Sequence, residues 1–263
     1  MKKYFTYSIG EIFLVVVGIL LALQINTWNQ NRLDSNEEER LLQVISEKMR
    51  LNHFQYEFGY ERHKEVIAAA EQLLMVRIDT SAVSNLQIDQ NIHALTKRFI
   101  MGKSNKTSIY DELIAAGQIG LITSDELRSN LTALKANLQL LESYEILQNN
   151  FVDGYLSPFL NKNIDRTIVA AHGSEKDSTF YDKLIGFNIS IFTERDTSNY
   201  YPELLKNREF SNLLIELIQH TKTLIPIYER IGANIFVIDS IATDGNPYLY
   251  EDPSKEPMLL NSN

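Results

Sequence analysis

The chain has 263 residues, 44% of them hydrophobic, with a formal charge of −9 and no cysteine. That length and apolar content suit a sizeable core, as one large domain or two small ones, and argue against a disordered chain. The missing cysteine excludes disulfides, thiolate catalysis and cysteine metal sites.

The six prolines all lie at or beyond Pro158, and glycine is sparse at 11. A long proline-free run favours helix, so an all-α fold is expected. Residues 1–8 carry Lys2 and Lys3. Residues 9–28, Ile9 to Trp28, then form a stretch long enough to cross a bilayer core of ~30 Å as a helix. Its unbroken apolar part runs from Ile12 to Leu23. Tyr4 and Tyr7 flank one end and Trp28 the other, where amphipathic rings favour the membrane interface. A cleaved signal peptide is the competing reading, since the basic start and apolar length fit it. However, Gln24 to Trp28 offers bulky or polar residues where cleavage needs small ones. The basic residues near the span favour a cytoplasmic N-terminus with the rest of the chain exported. The exported part then carries almost all the acidic excess, which disfavours nucleic acid and anionic headgroups as its partners.

Within the span, Glu11, Gly18, Ala22 and Asn29 recur at spacings of seven, four and seven, with Asn26 close by. Gly18 and Ala22 form a small-xxx-small pair, which lets two helix backbones approach. An acid at membrane depth normally faces protein. The stripe is therefore expected to be a seam for self-association or a pore lining. Glu11 lies just before the apolar run, so snorkelling to water is the alternative for it.

The string Gly10-Glu11-Ile12, Leu14-Val15-Val16, Gly18-Ile19-Leu20, Ala22-Leu23-Gln24, Asn26, Trp28-Asn29 resembles the N-terminal signature of an uncharacterised bacterial family, a domain of unknown function. A looser match is Tyr110-Asp111-Glu112-Leu113, Gly117, Leu121-Ile122 and Leu127-Arg128, with weaker similarity near Leu204 to Phe210. The resemblance covers a minor part of the chain. It implies a short N-terminal membrane segment and a largely helical body; with the orientation read from the basic residues, the expected location is a bacterial cytoplasmic membrane with the N-terminus in the cytoplasm and the body in the periplasm. It implies no activity and brings no catalytic residues.

After the span, Glu37 to Glu39 suit a helix first turn. Leu42, Ile45, Met49, Tyr56, Tyr60, His63, Ile67, Ala70 and Leu74 then mark an amphipathic helix to about Arg77, interrupted at most near Gly59. No proline or glycine between Asn26 and Ser35 forces a break, so span and helix can run on as one stalk. This gives 29–80 as a stalk-like helix, 81–243 as a helical bundle and 244–263 as an extended tail. Inside the bundle, a helix is expected over Ser84 to Phe99 with Leu86, Ile92, Leu95 and Phe99 inward. Another is expected over Thr107 to Ala116, closed by Gly117 in the left-handed position. Thr123 and Glu126 read as a capping box opening a helix with stripe Leu127, Leu131, Leu134, Leu138, Leu141, Leu147 and Phe151, ending near Gly154 or Pro158. Residues 163–201 are hard to read; Phe180 to Phe192 fits a helix or two strands, and helix is the expectation. Asn207 is expected to cap a last helix with stripe Phe210, Leu214, Leu217, Leu224, Tyr228, Ile231, Ile235 and Ile238, bent at Pro226.

Motifs for chemistry are missing. No His-Glu-x-x-His, Gly-x-Ser-x-Gly, Gly-x-Gly-x-x-Gly or phosphate loop occurs. The pairs Glu216–His220 and His53–Glu57 share helix faces and read as ordinary surface contacts. Asp239, Asp244, Glu251 and Asp252 lack calcium-loop spacing and read as a solvated tail. Phe54, Tyr56, Phe58 and Tyr60 could line a pocket, but aromatics at helical spacing are more often core, which is the expectation here. No metal site and no cofactor is expected. The leading expectation is a non-enzymatic, membrane-anchored helical protein that self-associates through its span and acts as scaffold, sensor or partner-binding module. Its expected partners are the lipid bilayer, further copies of itself and possible other membrane proteins. The alternative is a subunit of an oligomeric proton or ion channel using Glu11, by analogy with stator-type subunits. An extracytoplasmic enzyme ranks last.

Overall fold

A computed structural model of the chain describes residues 2–77, 83–98, 100, 109–166, 169 and 201–245; of residues 2–10 and 12 only the helical path is described. The fold is all-helical, with no sheet among the described residues. The seven α-helices described are α1 (Lys2–Val76), α2 (Asn85–Leu95), α3 (Ile109–Ala115), α4 (Asp125–Phe151), α5 (Ser157–Asn163), α6 (Tyr201–Lys206) and α7 (Arg208–Ala242). A 3-10 turn, Ile119–Leu121, precedes α4, and a π turn, Val152–Leu156, joins α4 to α5.

Helix α1 is unbroken over 75 residues. At ~1.5 Å per residue that is about 110 Å of rod. Its polar middle holds together by local pairs. Gln30 Nε2 donates to Asp34 Oδ1 at 2.9 Å, and Arg40 pairs with Glu37 at 2.6 Å. Such contacts one turn apart stabilise helix where tertiary packing is absent. The half of α1 from Leu41 onward does not stand apart as a stalk. Leu41, Ile45, Met49, Tyr56, Val66, Ala70 and Leu73 are all buried.

Helix α7 is the hub. It packs along both α1 and α4, which meet each other little. Every residue of its expected stripe is buried, and Asn207 caps it by accepting the amide hydrogens of Glu209 (2.7 Å) and Phe210 (3.3 Å). The helix continues unbroken through Pro226.

Three local expectations need correction. The first is the inward face of α2, which is Ile88, Ile92 and Leu95, whereas Leu86 is exposed. Leu86 stands two residues from Ile88, nearly opposite it on a helix; Phe99 lies outside the described residues. The second is the cap of α4, which is Ser124 rather than Thr123. Ser124 Oγ accepts the Leu127 amide at 3.1 Å. Thr123 is taken up by α1, because its N–H and its hydroxyl both donate to Glu38 Oε1, at 2.6 and 2.7 Å. The third is the end of α4, since the chain does not stop at Gly154 or Pro158. It widens through the π turn, where the Ser157 amide bonds the Val152 carbonyl, and carries on as α5 to Asn163. Pro158 cannot donate to the carbonyl one turn back, and the wider turn accommodates that missing bond. Helix α3 ends as expected, with Gly117 at φ 69°.

The looser of the two family-like motifs is a clamp. Asp111 pairs with Lys135 of α4, Glu112 pairs with Lys48 of α1, and Leu113, Ile122 and Leu127 are buried. Arg128 donates to the Ile122 carbonyl and to Asp125. These residues pin α3 between the two long helices. The region 170–200 and residues 246–263 lie outside the described residues, so the helix-or-strand reading of Phe180 to Phe192 and the extended-tail reading are not addressed.

Candidate functional site

The bundle core has two apolar halves. The half nearer the N-terminal span joins Ile45, Met49 and Tyr56 of α1 to Leu127–Leu141 of α4 and Leu224–Ile238 of α7. The far half joins Val66–Val76 of α1 to α2, α5, α6 and Phe210–Leu217 of α7. Between them lies a buried polar layer made by one segment of each long helix: Gly59 and His63 of α1, Glu145 and Gln148 of α4, Thr221 and Tyr228 of α7.

The layer is tightly bonded. Tyr228 Oη donates to Glu145 Oε1 at 2.6 Å. His63 Nδ1 donates to the Gly59 carbonyl at 2.7 Å, and its ring also hydrogen-bonds Gln148. Gln148 Nε2 donates to Thr221 Oγ1 at 2.9 Å, and Thr221 returns its proton to the Leu217 carbonyl at 2.7 Å. The rings of His63 and Tyr228 sit 5.2 Å apart. Burial pushes His63 below its ordinary pKa, although its two hydrogen bonds oppose this. Burial, aided by the nearby Glu145 carboxyl, pushes Tyr228 well above its ordinary value. His63 is thus held neutral as a donor, and Tyr228 is held protonated. All these side chains are buried. They can order the three helices and respond to protons. Catalysis on a substrate would require the bundle to open.

Two further buried carboxylates each accept a hydroxyl. Tyr201 donates to Asp89, joining α6 to α2, and Ser46 Oγ donates to Asp239 Oδ1 at 2.6 Å. Asp239 Oδ2 is buried without a hydrogen-bond partner among the described residues. Asp239 is therefore a core residue, and the reading of it as part of a solvated tail is corrected. A cavity of about 470 Å³ lies beside Ser46, edged by Glu39, Glu47 and Arg50 of α1 and by Thr243 and Asp244 after α7. Glu251 and Asp252 lie outside the described residues.

The residues singled out in the span sit elsewhere. Glu11, Gly18, Ala22, Asn26, Asn29 and Trp28 are all exposed on the free part of α1. Nothing stands within 4 Å of a Cβ built on Gly18. Tyr4 and Tyr7 lie on the helical path, and their side chains are outside the described set. Among the described residues α1 is the one helix long and apolar enough to cross a membrane, and its apolar window is wholly unburied. Of the aromatic group, Tyr56 is core, Phe54 and Phe58 point outward, and Tyr60 donates to Glu229 at 3.3 Å. Glu216–His220 and His53–Glu57 are the long surface contacts expected of them, at 3.9 and 3.6 Å. No group of three or more metal-ligating side chains occurs among the described residues.

Sequence reasoning missed Glu145 and Gln148 as members of the core. The signal was in the spacing. From Leu141 the stripe steps by four to Glu145 and by three to Gln148, whereas Leu147 is exposed. Comparison with family models, with curated proteins and with solved structures returned no match to this chain.

Proposed function

We propose that the chain is a non-enzymatic, membrane-anchored helical module that self-associates through its span and serves as a scaffold, sensor or partner-binding body outside the cytoplasmic membrane. The observation that carries this reading is α1 itself. One unbroken helix exposes an apolar length sufficient for a bilayer, then enters the core of the bundle. A free apolar helix of that length is costly in water and at home in lipid. The absence of a catalytic motif in the sequence supports a binding role. The interior polar layer supports a body held in one arrangement, as a sensor or scaffold requires. The topology proposed has the N-terminus in the cytoplasm and the body in the periplasm, following the basic residues near the span.

The test is the mass of the full-length protein in a bilayer nanodisc. An oligomer is expected, and Gly18→Leu, which crowds the small-residue face, should lower its fraction. A monomer at all protein-to-lipid ratios overturns the reading. The channel alternative rests on Glu11 and is separated by flux measurements. Proton or ion flux into liposomes that Glu11→Gln abolishes would replace the scaffold reading with it.

A further inference from the structure

From Leu33 to His63 helix α1 keeps two faces; beyond that the bundle wraps round it, and Ala69 and Val76 are buried. Ile45 and His63, 18 residues apart, both face the bundle core. Eighteen residues make about five turns of α-helix, so residues at that spacing share a direction. The same spacing links Leu33 to Leu51 and Glu11 to Asn29 on the opposite side. Twice that spacing links Gly18 to Phe54 and Ala22 to Phe58. Leu33, Val44, Leu51, Phe54 and Phe58 are 48%, 38%, 62%, 58% and 47% exposed. These large apolar side chains therefore stand in line with the small-residue face of the span, along one helix with no break between them. Arg40 and Glu47 fall on the same arc, and both are exposed, so their long side chains can turn to water beside the seam.

Resting on the self-association proposed above, we infer that this line is one continuous homotypic seam, occupied by α1 of a second copy lying parallel and in register. The occupant follows from the anchoring. Two copies held in one bilayer by the same span present α1 in the same direction and at the same height. Each residue of the seam therefore meets its own counterpart, as a two-fold interface requires. Between Leu41 and His63 the buried side of α1 faces away from this line, so over that stretch two bodies flank the pair without competing for the seam. Size argues the same way. The four residues from Val44 to Phe58 expose on the order of 400 Å² per copy, too little for a stable interface of ~1,200 Å² or more on their own. Tethering raises the effective concentration, and the span supplies the remaining contact. The eighteen-residue phase matches a straight pair of helices rather than a strongly supercoiled one, since it repeats at about 3.6 per turn instead of 3.5.

The absence of cysteine makes the test clean. Single cysteines are placed in the full-length protein at Ala22→Cys, Leu51→Cys and Phe54→Cys on the seam, and at Ala136→Cys on the exposed side of α4. Membranes holding each variant are oxidised with copper–phenanthroline, and covalent dimer is scored on a denaturing gel. Dimer is expected at the three seam positions and not at Ala136→Cys. Adding Phe54→Glu should reduce the yield through Ala22→Cys several-fold, while far-ultraviolet circular dichroism stays unchanged because Phe54 lies outside the core. Dimer at Ala22→Cys without dimer at Leu51→Cys and Phe54→Cys overturns the seam and leaves self-association through the span intact. Dimer at Leu51→Cys and Phe54→Cys without Ala22→Cys overturns its continuity. No dimer at any position overturns both this inference and the self-association beneath it. Equal dimer at Ala136→Cys marks random collision and overturns the seam.

Discussion

Tyr228 lies so close across Gly59 that a Cβ built there would come within 2.7 Å of its hydroxyl oxygen and 2.9 Å of its ring. Only a glycine lets α1 and α7 approach at this height while Tyr228 Oη reaches Glu145. Gly59→Ala should push the ring away and cost about 1–3 kcal/mol, seen as a lowered midpoint in thermal unfolding. His63, beside the same ring, binds a proton less readily in the folded chain than in the unfolded one. Its stabilising effect is complete above the ordinary histidine pKa of about 6.5 and is lost as pH falls through it, by up to ~1.4 kcal/mol per pH unit. Lowering pH from 7.5 to 5.5 should therefore reduce the unfolding midpoint more in the native chain than in His63→Gln. Equal slopes in the two proteins would remove His63 as the responsive group. Tyr228→Phe loses the bond to Glu145 and should cost ~1–3 kcal/mol by chemical denaturation.

At the scale of elements, the long helices were legible, and so were the inward stripes of α7 and of α4 as far as Leu141, whereas α2 turns Ile88 rather than Leu86 inward. All eight stripe residues of α7 are buried, as are Leu127 to Leu141 of α4. The reading failed where polar residues hold stripe positions, because an apolar count steps past Glu145 and Gln148 to the exposed Leu147. It also failed at the start of α4, where Thr123 and Ser124 are both good caps. Tertiary contact decided between them, since Glu38 of α1 engages Thr123 and leaves Ser124 to cap. Ser124→Ala should lower stability by about 1 kcal/mol, and Ser124→Asp should restore most of it. A larger effect from Thr123→Ala than from Ser124→Ala, measured by urea denaturation, would reverse that assignment. The long apolar helix at the start of the chain was legible from hydropathy alone. The candidate polar layer was not, because its members come from three helices whose alignment no local pattern encodes.

Across the whole molecule, α1, α4 and α7 thread both apolar halves, and the polar layer bonds the three together between them. Both halves are built on the same three long helices, so the body should unfold as one unit. Trp28, the single tryptophan, lies exposed on the unpacked part of α1, which leaves tyrosine fluorescence to report on the body. In urea, tyrosine fluorescence and the helical circular dichroism of the body should share one midpoint. Two separated midpoints would show the halves to be independent. The all-α class follows from composition, but the choice of α7 as hub rests on long-range pairing that becomes visible only in three dimensions.

That pairing sets an order of events during synthesis. Ser46 meets Asp239 across 193 residues, and Glu71 meets Lys222 across 151. The inward face of α1 is thus translated early and covered last, after nearly the whole chain has been made. Until then Ile45, Met49 and Leu73 wait without their principal partner. The bundle accordingly folds late and by contacts distant in sequence, which is slow for a helical protein and leaves an apolar surface open to aggregation in the meantime.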